Sequence, residues 1–84
     1  MIYIQNDDEQ YEKALDFLQS CKTISLDTET TGPDPYQDMI LLVQAGNKYR
    51  QYVFDVARLG KSIQKLKPIL EASAICKLLH NAKY

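Results

Sequence analysis

Two carboxylates, Asp27 and Glu29, stand two residues apart in the first third of the chain. Residues 23–28 alternate between apolar and polar types, which is typical of a β-strand. Residues i and i+2 of a strand point to the same face, so we expect the two carboxylates to project together, with Cβ atoms about 7 Å apart. Two oxygen donors at this spacing can share a divalent cation such as Mg²⁺ or Mn²⁺. On the pair alone, two solvated acids at a strand end are the favoured interpretation.

The composition limits the kind of protein that this chain can be. Its 84 residues make one domain at most, and 45% hydrophobic with 25% charged residues is typical of a globular domain. A net charge of -1 produces no overall field that attracts a polyanion, so nucleic-acid binding would need a local site or bound metal. Cys21 and Cys76 lie far apart, which predicts free thiols and a cytoplasmic protein. No apolar run is long enough to predict a membrane span.

The elements that must position the two acids follow from the periodicity of apolar residues. The pattern predicts, in order, a short strand at 2–5, an amphipathic helix, strands at 23–28, 39–45 and 51–56, a bent helix and a strand at 74–79. Asn6 or Asp7 can cap the first helix. Pro68 lacks an amide hydrogen, so the second helix must kink or begin a new turn there. The last strand is largely apolar, which favours a central place in the sheet, reached through a helical crossover.

Two longer stretches carry a resemblance to a known family. Residues 24–35, ISLDTETTGPDP, followed by MILLVQ at 39–44, resemble the first motif of the DEDD superfamily of 3′-5′ exonucleases, found in the proofreading domain of family A DNA polymerases and in ribonuclease D. In that family a hydrophobic strand ends in Asp-x-Glu-Thr, and a strand of the form Ile-x-Leu-Val-Gln follows. Residues 66–71 and 75–84 resemble the helix and strand that lead into the second motif, Asn-x-x-x-Asp, with Asn81 at the position of its Asn. The resemblance covers nearly the whole chain.

The resemblance implies a ribonuclease H-like α/β fold. Its mixed sheet would contain a three-stranded antiparallel meander, then a helix and a parallel strand beside the first, with an additional N-terminal strand and helix. Residues 1–84 would form the N-terminal part of a single exonuclease domain, because the third acidic ligand would follow Tyr84 and the third motif has no counterpart here. We expect the truncated sheet to associate with a complementary C-terminal half or with itself.

The resemblance also implies two-metal hydrolysis of phosphodiester bonds, with Mg²⁺ or Mn²⁺ as the ions. Asp27 would contact both ions, and Glu29 would bind the ion that holds the attacking water. The positions that would contact the substrate are Thr28, Thr30, Pro33, Asn81 and Tyr84. Because two of four carboxylates are absent, we expect this chain alone to bind metal weakly and to hydrolyse nothing at a useful rate.

Several alternatives stay open on the sequence. The chain is expected to be part of an enzyme that acts on the single-stranded 3′ end of DNA or RNA, or else a non-catalytic module that binds nucleic acid or a polymerase partner. No residue separates DNA from RNA. The strand at 40–44 favours the branch of the family whose third motif carries Tyr over the branch with His. Asn81 could equally cap a helix, and Tyr84 could equally be a frayed terminal aromatic.

Overall fold

The computed structural model of the protein describes residues 1–32, 34 and 36–79. Its elements are β1 (Ile2–Ile4), α1 (Glu9–Ser20), β2 (Thr23–Thr30), β3 (Ile40–Gly46), β4 (Gln51–Asp55), α2 (Val56–Leu59), a 3-10 segment (Gly60–Leu66), α3 (Lys67–Glu71) and β5 (Cys76–Leu79). The strands form one sheet in the order β1-β4-β3-β2-β5. β2, β3 and β4 are an antiparallel meander, while β1 is parallel to β4 and β5 is parallel to β2. This is the predicted mixed α/β arrangement.

One face of the sheet forms the hydrophobic core together with α1 and α3. Strand register brings the side chains of Ile4, Phe54 and Val43 to this face, since Phe54 is the partner of both other residues. The fully buried Tyr11 of α1 packs on Phe54 with ring centroids 5.8 Å apart, and its hydroxyl donates a hydrogen bond to the Ser62 carbonyl at 2.6 Å. The predicted apolar face of α1 is thus its buried face. The core therefore occupies one side of the sheet and leaves the other side to the acids.

The structure differs from the sequence prediction at the start of α1 and at Gly60, while a new turn begins at Pro68 as predicted. Asp8, rather than Asn6 or Asp7, caps α1, because its carboxylate accepts a hydrogen bond from the Tyr11 N–H at 3.1 Å. The predicted bent helix is three short pieces, since Gly60 ends α2 with φ of 55° and Pro68 lies in the first turn of α3.

The last strand, β5, also differs from its prediction. It is an edge strand of the sheet that the described residues form, whereas its apolar composition favoured a central position. Leu78 and Leu79 are accordingly 53% and 62% exposed. Among the described residues, no helix combines the length and apolar character needed to cross a membrane.

Candidate active site

β2 carries both acids of the sequence motif on the face of the sheet that points away from the core. Asp27 is paired with Gln44 of β3, and Glu29 is paired with Leu42, so all four side chains share this face. Ile24 lies three residues before Asp27 on the same strand, so its side chain points to the opposite face, where it is fully buried in the core. The alternation that identified the strand therefore also places the two carboxylates together.

The acids line a shallow depression of about 200 Å³ on this face. Its other walls are apolar or aromatic apart from Gln44, and the full lining is Met1, Tyr3, Asp27, Glu29, Leu42, Gln44 and Val53. Asp27 is half-buried, while Glu29 is exposed at the rim. Val53 is 4% exposed and forms the floor, whereas Tyr3 is 49% exposed. The depression is thus a place where a charged group can approach two carboxylates beside an apolar surface.

The donor set of the depression is suited to a hard divalent cation. Mg²⁺ typically binds through one or two carboxylates and completes its coordination with water and substrate phosphate oxygens. Asp27 and Glu29 provide two such carboxylates on one face. Within the described part of the chain, no three His, Cys, Asp or Glu side chains come together as a complete metal site. The pair therefore fits one side of a metal centre rather than a closed protein cage.

The other residues of the predicted site are placed differently from the acids. Thr28 pairs with Val43, so its side chain lies on the core side of the sheet, and only its backbone adjoins the acids. The Thr30 hydroxyl donates a hydrogen bond to the Gly32 carbonyl at 2.6 Å, within the loop that follows β2. The remaining three predicted substrate contacts, Pro33, Asn81 and Tyr84, lie outside the described residues.

The sequence interpretation overlooked Asp38, whose carboxylate accepts hydrogen bonds from two residues of the loop between β2 and β3. The available signal was an Asp in a loop that contains Gly and Pro, where its side chain can bond to nearby backbone groups. Asp55, at the end of β4, caps α2 by accepting a hydrogen bond from the Arg58 N–H at 3.0 Å. The loop between β2 and β3 is therefore organised by a side chain, directly beside the acids.

The fold is similar to those of several solved structures. Escherichia coli RNase D, described as an exoribonuclease involved in structured RNA processing, has a TM-score of 0.77 at 24% identity, covering 94% of this chain and 20% of that one. The catalytic core of RRP6 from Trypanosoma brucei has a TM-score of 0.81 at 20% identity, covering 96% of this chain and 22% of that one. RNase D from Trypanosoma brucei, in complex with RNA U12, has a TM-score of 0.73 at 25% identity, covering 95% and 30%. The chain thus spans 20–30% of the length of these proteins.

These similarities confirm the ribonuclease H-like α/β fold that the motif implied. A comparison with curated proteins gives no match. The family model described as 3′-5′ exonuclease, in contrast, matches residues 2–84, which is nearly the entire chain. The chain therefore belongs to the 3′-5′ exonuclease family.

Proposed function

We propose that this chain supplies two metal-binding carboxylates, Asp27 and Glu29, of a divalent-metal-dependent 3′-5′ exonuclease. The observation that carries the proposal is that both acids project from one face of β2 into the same depression, in a chain that belongs to the exonuclease family. Carboxylates that must share a cation need to be held at a constant separation. The ladder between β2 and β3 provides this, because each acid has its own backbone partner.

The chemistry proposed for this site is hydrolysis of the phosphodiester bond at the 3′ end of a nucleic acid. When bound, Mg²⁺ or Mn²⁺ lowers the pKa of an attacking water and stabilises the charge on the leaving 3′ oxygen. Asp27 lies deeper in the depression and would contact both ions, whereas Glu29, at the rim, would hold the ion on the side of the water. Leu42 and Val53 add apolar surface beside the two acids.

The proposed substrate is a single-stranded 3′ end. Trypanosoma brucei RNase D has been solved with RNA U12, so we propose RNA as the first substrate and DNA as the second. Thr30 follows Glu29 on β2, and its hydroxyl, which donates a hydrogen bond to the Gly32 carbonyl, is a proposed substrate contact. Thr28 would contact substrate through its backbone. Pro33, Asn81 and Tyr84 stay proposed contacts on the resemblance alone.

A complementary polypeptide is the second part of the proposal. The described residues bring only two acids together, and the chain spans 20–30% of the solved proteins that it matches. The face that carries the acids also exposes apolar surface at Tyr3 and Leu78, which a second polypeptide could bury. We therefore propose a C-terminal half that covers this face and brings further acidic ligands. The free thiols of Cys21 and Cys76 support a cytoplasmic location.

The same shortage of acids favours a second candidate function. A non-catalytic module that keeps the fold and binds nucleic acid or a polymerase partner would need no complete metal site. The two candidates differ in one measurable property, since only the enzyme releases mononucleotides in the presence of Mg²⁺.

The test combines this chain with a synthetic C-terminal half and measures Mg²⁺-dependent shortening of 5′-labelled single-stranded RNA and DNA, with mononucleotide release followed on 3′-labelled strands. We expect no detectable hydrolysis by the chain alone, and stepwise shortening from the 3′ end by the mixture. Asp27→Ala should abolish this shortening, whereas Asp16→Ala, at an exposed acid on α1, should leave it unchanged. A mixture that hydrolyses neither RNA nor DNA would contradict the catalytic proposal and favour the binding module.

A further inference from the structure

The loop between β2 and β3 is closed by the side chain of Asp38. One oxygen of its carboxylate accepts a hydrogen bond from the Asp34 N–H at 2.6 Å, and the other accepts from the Thr31 hydroxyl at 3.1 Å. The Thr31 hydroxyl in turn accepts from the Met39 N–H at 3.0 Å, and the Thr31 N–H donates to the Met39 carbonyl at 2.9 Å. Asp38 therefore ties the end of β2 to the start of β3.

Gly32 provides the space that this carboxylate occupies. A Cβ atom added to Gly32 would lie 3.0 Å from one Asp38 carboxylate oxygen and 2.6 Å from the other, and the shorter distance is below any that Cβ atoms normally reach in proteins. The carbonyl of the same Gly32 accepts the hydrogen bond from the Thr30 hydroxyl. Hydrogen bonds thus link Thr30 to Gly32, and Asp38 through Thr31 to Met39, while Gly32 and Asp38 are joined by close packing.

The network begins one residue beyond Glu29, where the ladder is irregular. Glu29 pairs with Leu42, but Thr30 pairs with Ile40, so Leu41 is an extra residue on β3. Such a bulge interrupts ladder hydrogen bonds and turns the strand locally. The β2 backbone that sets the direction of the exposed Glu29 side chain therefore lies next to an interruption in its hydrogen-bonded pairing with β3. Beyond the bulge, Thr30 still pairs with Ile40, and the hydrogen bonds of Thr31 and Asp38 follow directly after this pair.

We propose that Asp38 is a positioning residue of the acid site, acting through the β2–β3 loop on the direction of Glu29. This inference rests on the proposed role of Glu29 as a metal ligand. Asp38 itself makes no part of the depression that the two acids line. Its effect is transmitted through Thr31. Without the Asp38 carboxylate, the Thr31 hydroxyl would lose its acceptor, and the backbone of Thr31 makes the last pairing, with Met39, before the loop.

The chemistry of the network requires a carboxylate at this position. Both oxygens of Asp38 accept hydrogen bonds, from an N–H group and from a hydroxyl. An asparagine offers one oxygen and one NH₂ group, so Asp38→Asn would leave one of the two donors without an acceptor. We expect Asp38→Asn to be intermediate between the wild type and Asp38→Ala. Gly32→Ala should imitate Asp38→Ala, because the new methyl group would displace the carboxylate.

The experiment measures Mn²⁺ binding to the 84-residue chain by paramagnetic broadening of backbone amide signals in NMR spectra. The apparent Kd is obtained from signals of β2, and hydrogen exchange of the Thr31 and Asp34 amides reports on the loop without metal. We expect Asp38→Ala to weaken Mn²⁺ binding about tenfold, as loss of a group supporting a ligand commonly does. Gly32→Ala should do the same, and the double variant should be no weaker than either single one. Asp16→Ala, which removes an exposed acid on α1, is the charge-matched control.

The outcomes separate the positioning role from the proposed function. Faster exchange of the Thr31 and Asp34 amides with unchanged Mn²⁺ affinity would show that Asp38 only orders the loop, and would overturn the inference. Weaker Mn²⁺ binding with an unchanged urea midpoint of unfolding supports it, since loss of stability alone would not explain the change. If Mn²⁺ does not broaden the signals of Asp27 and Glu29 in the wild-type chain, the inference about Asp38 is overturned, whereas the proposed function is decided separately by nucleic-acid shortening with the C-terminal half present.

Discussion

Replacing Tyr11 by Phe tests whether a single buried hydroxyl joins the first helix to the chain segment beyond the meander. Tyr11 is 0% exposed, and its hydroxyl donates to the Ser62 carbonyl at 2.6 Å, across 51 residues of sequence. Phe fills the same space, so the ring contact with Phe54 at 5.8 Å is kept and no large cavity forms. The change therefore isolates one hydrogen bond.

The expected loss follows from this hydrogen bond, whose donor residue is fully buried and whose acceptor residue is partly buried. A typical hydrogen bond contributes about 1 kcal/mol net, and leaving a buried acceptor unpaired costs about 1–3 kcal/mol. We expect Tyr11→Phe to lower the free energy of unfolding by about 1–2 kcal/mol. A chain of 84 residues has roughly 4–13 kcal/mol in total at typical values per residue, so this is a measurable share.

The assay is urea unfolding followed by circular dichroism. With a slope of about 1 kcal/mol per molar urea, the midpoint should fall by about 1–2 M while the slope stays constant. Tyr49→Phe is the matched control, because Tyr49 is 81% exposed and its loss of a hydroxyl should change stability by less than about 0.5 kcal/mol.

The Tyr11→Phe variant should also change how the stability of the fold depends on pH in the alkaline range. Burial raises the pKa of Tyr11 from 10.0 to about 12, so the folded state favours the neutral phenol. The sign of the effect follows: this contribution is complete below pH 10 and is lost as the pH rises towards 12. Tyr11→Phe should lose less stability than the wild type over this range. A midpoint equal to that of the wild type, together with an equal alkaline loss, would refute the role assigned to the hydroxyl.

Two further predictions concern glycines and surface charge. Gly46→Ala should cost about 3 kcal/mol or more in urea unfolding, because the new Cβ would lie against backbone atoms of the hairpin, 2.8 Å from the Gln51 Cα. Gly60→Ala, at φ of 55° but with open space around it, should cost only about 1–3 kcal/mol of backbone strain, and equal losses would contradict this distinction. The hydrogen bond from Lys65 lowers the pKa of Asp7, so this ion pair stabilises the fold above pH 3.8 and the stabilisation is lost as the pH falls. Lys65→Met should therefore reduce the loss of stability at acid pH. The measurement is thermal unfolding over a pH series, and a fall of the unfolding temperature below pH 3.8 as large as that of the wild type would refute the prediction.

Local periodicity in the sequence was sufficient for much of the fold. Alternation in β2 predicted the common face of Asp27 and Glu29, and the helical spacing in α1 predicted its buried face. These features depend on the geometry of one element, which repeats every 2 or 3.6 residues whatever the partner is. The motif around the acids also led to the exonuclease family, which the family model confirms.

Sequence reasoning was less successful where two good local candidates compete or where the partner is remote. Asp7 was a predicted cap of α1, but Asp8 caps the helix, and Asp7 instead accepts a hydrogen bond from Lys65, 58 residues away. The place of β5 at the edge of the described sheet likewise depends on which strands pair, and its apolar composition alone favoured the centre.

Some features of the candidate site were likewise predictable from the sequence, and others were not. The two carboxylates and their shared face are determined by the sequence, because a strand fixes the direction of side chains two residues apart. Only the tertiary structure shows the bulge after Glu29, the apolar walls that β1, β3 and β4 place around the acids, and the Asp38 carboxylate seated against Gly32. These features arise from contacts between separate segments of the chain, and the residue pattern within one segment does not specify which other segment packs against it.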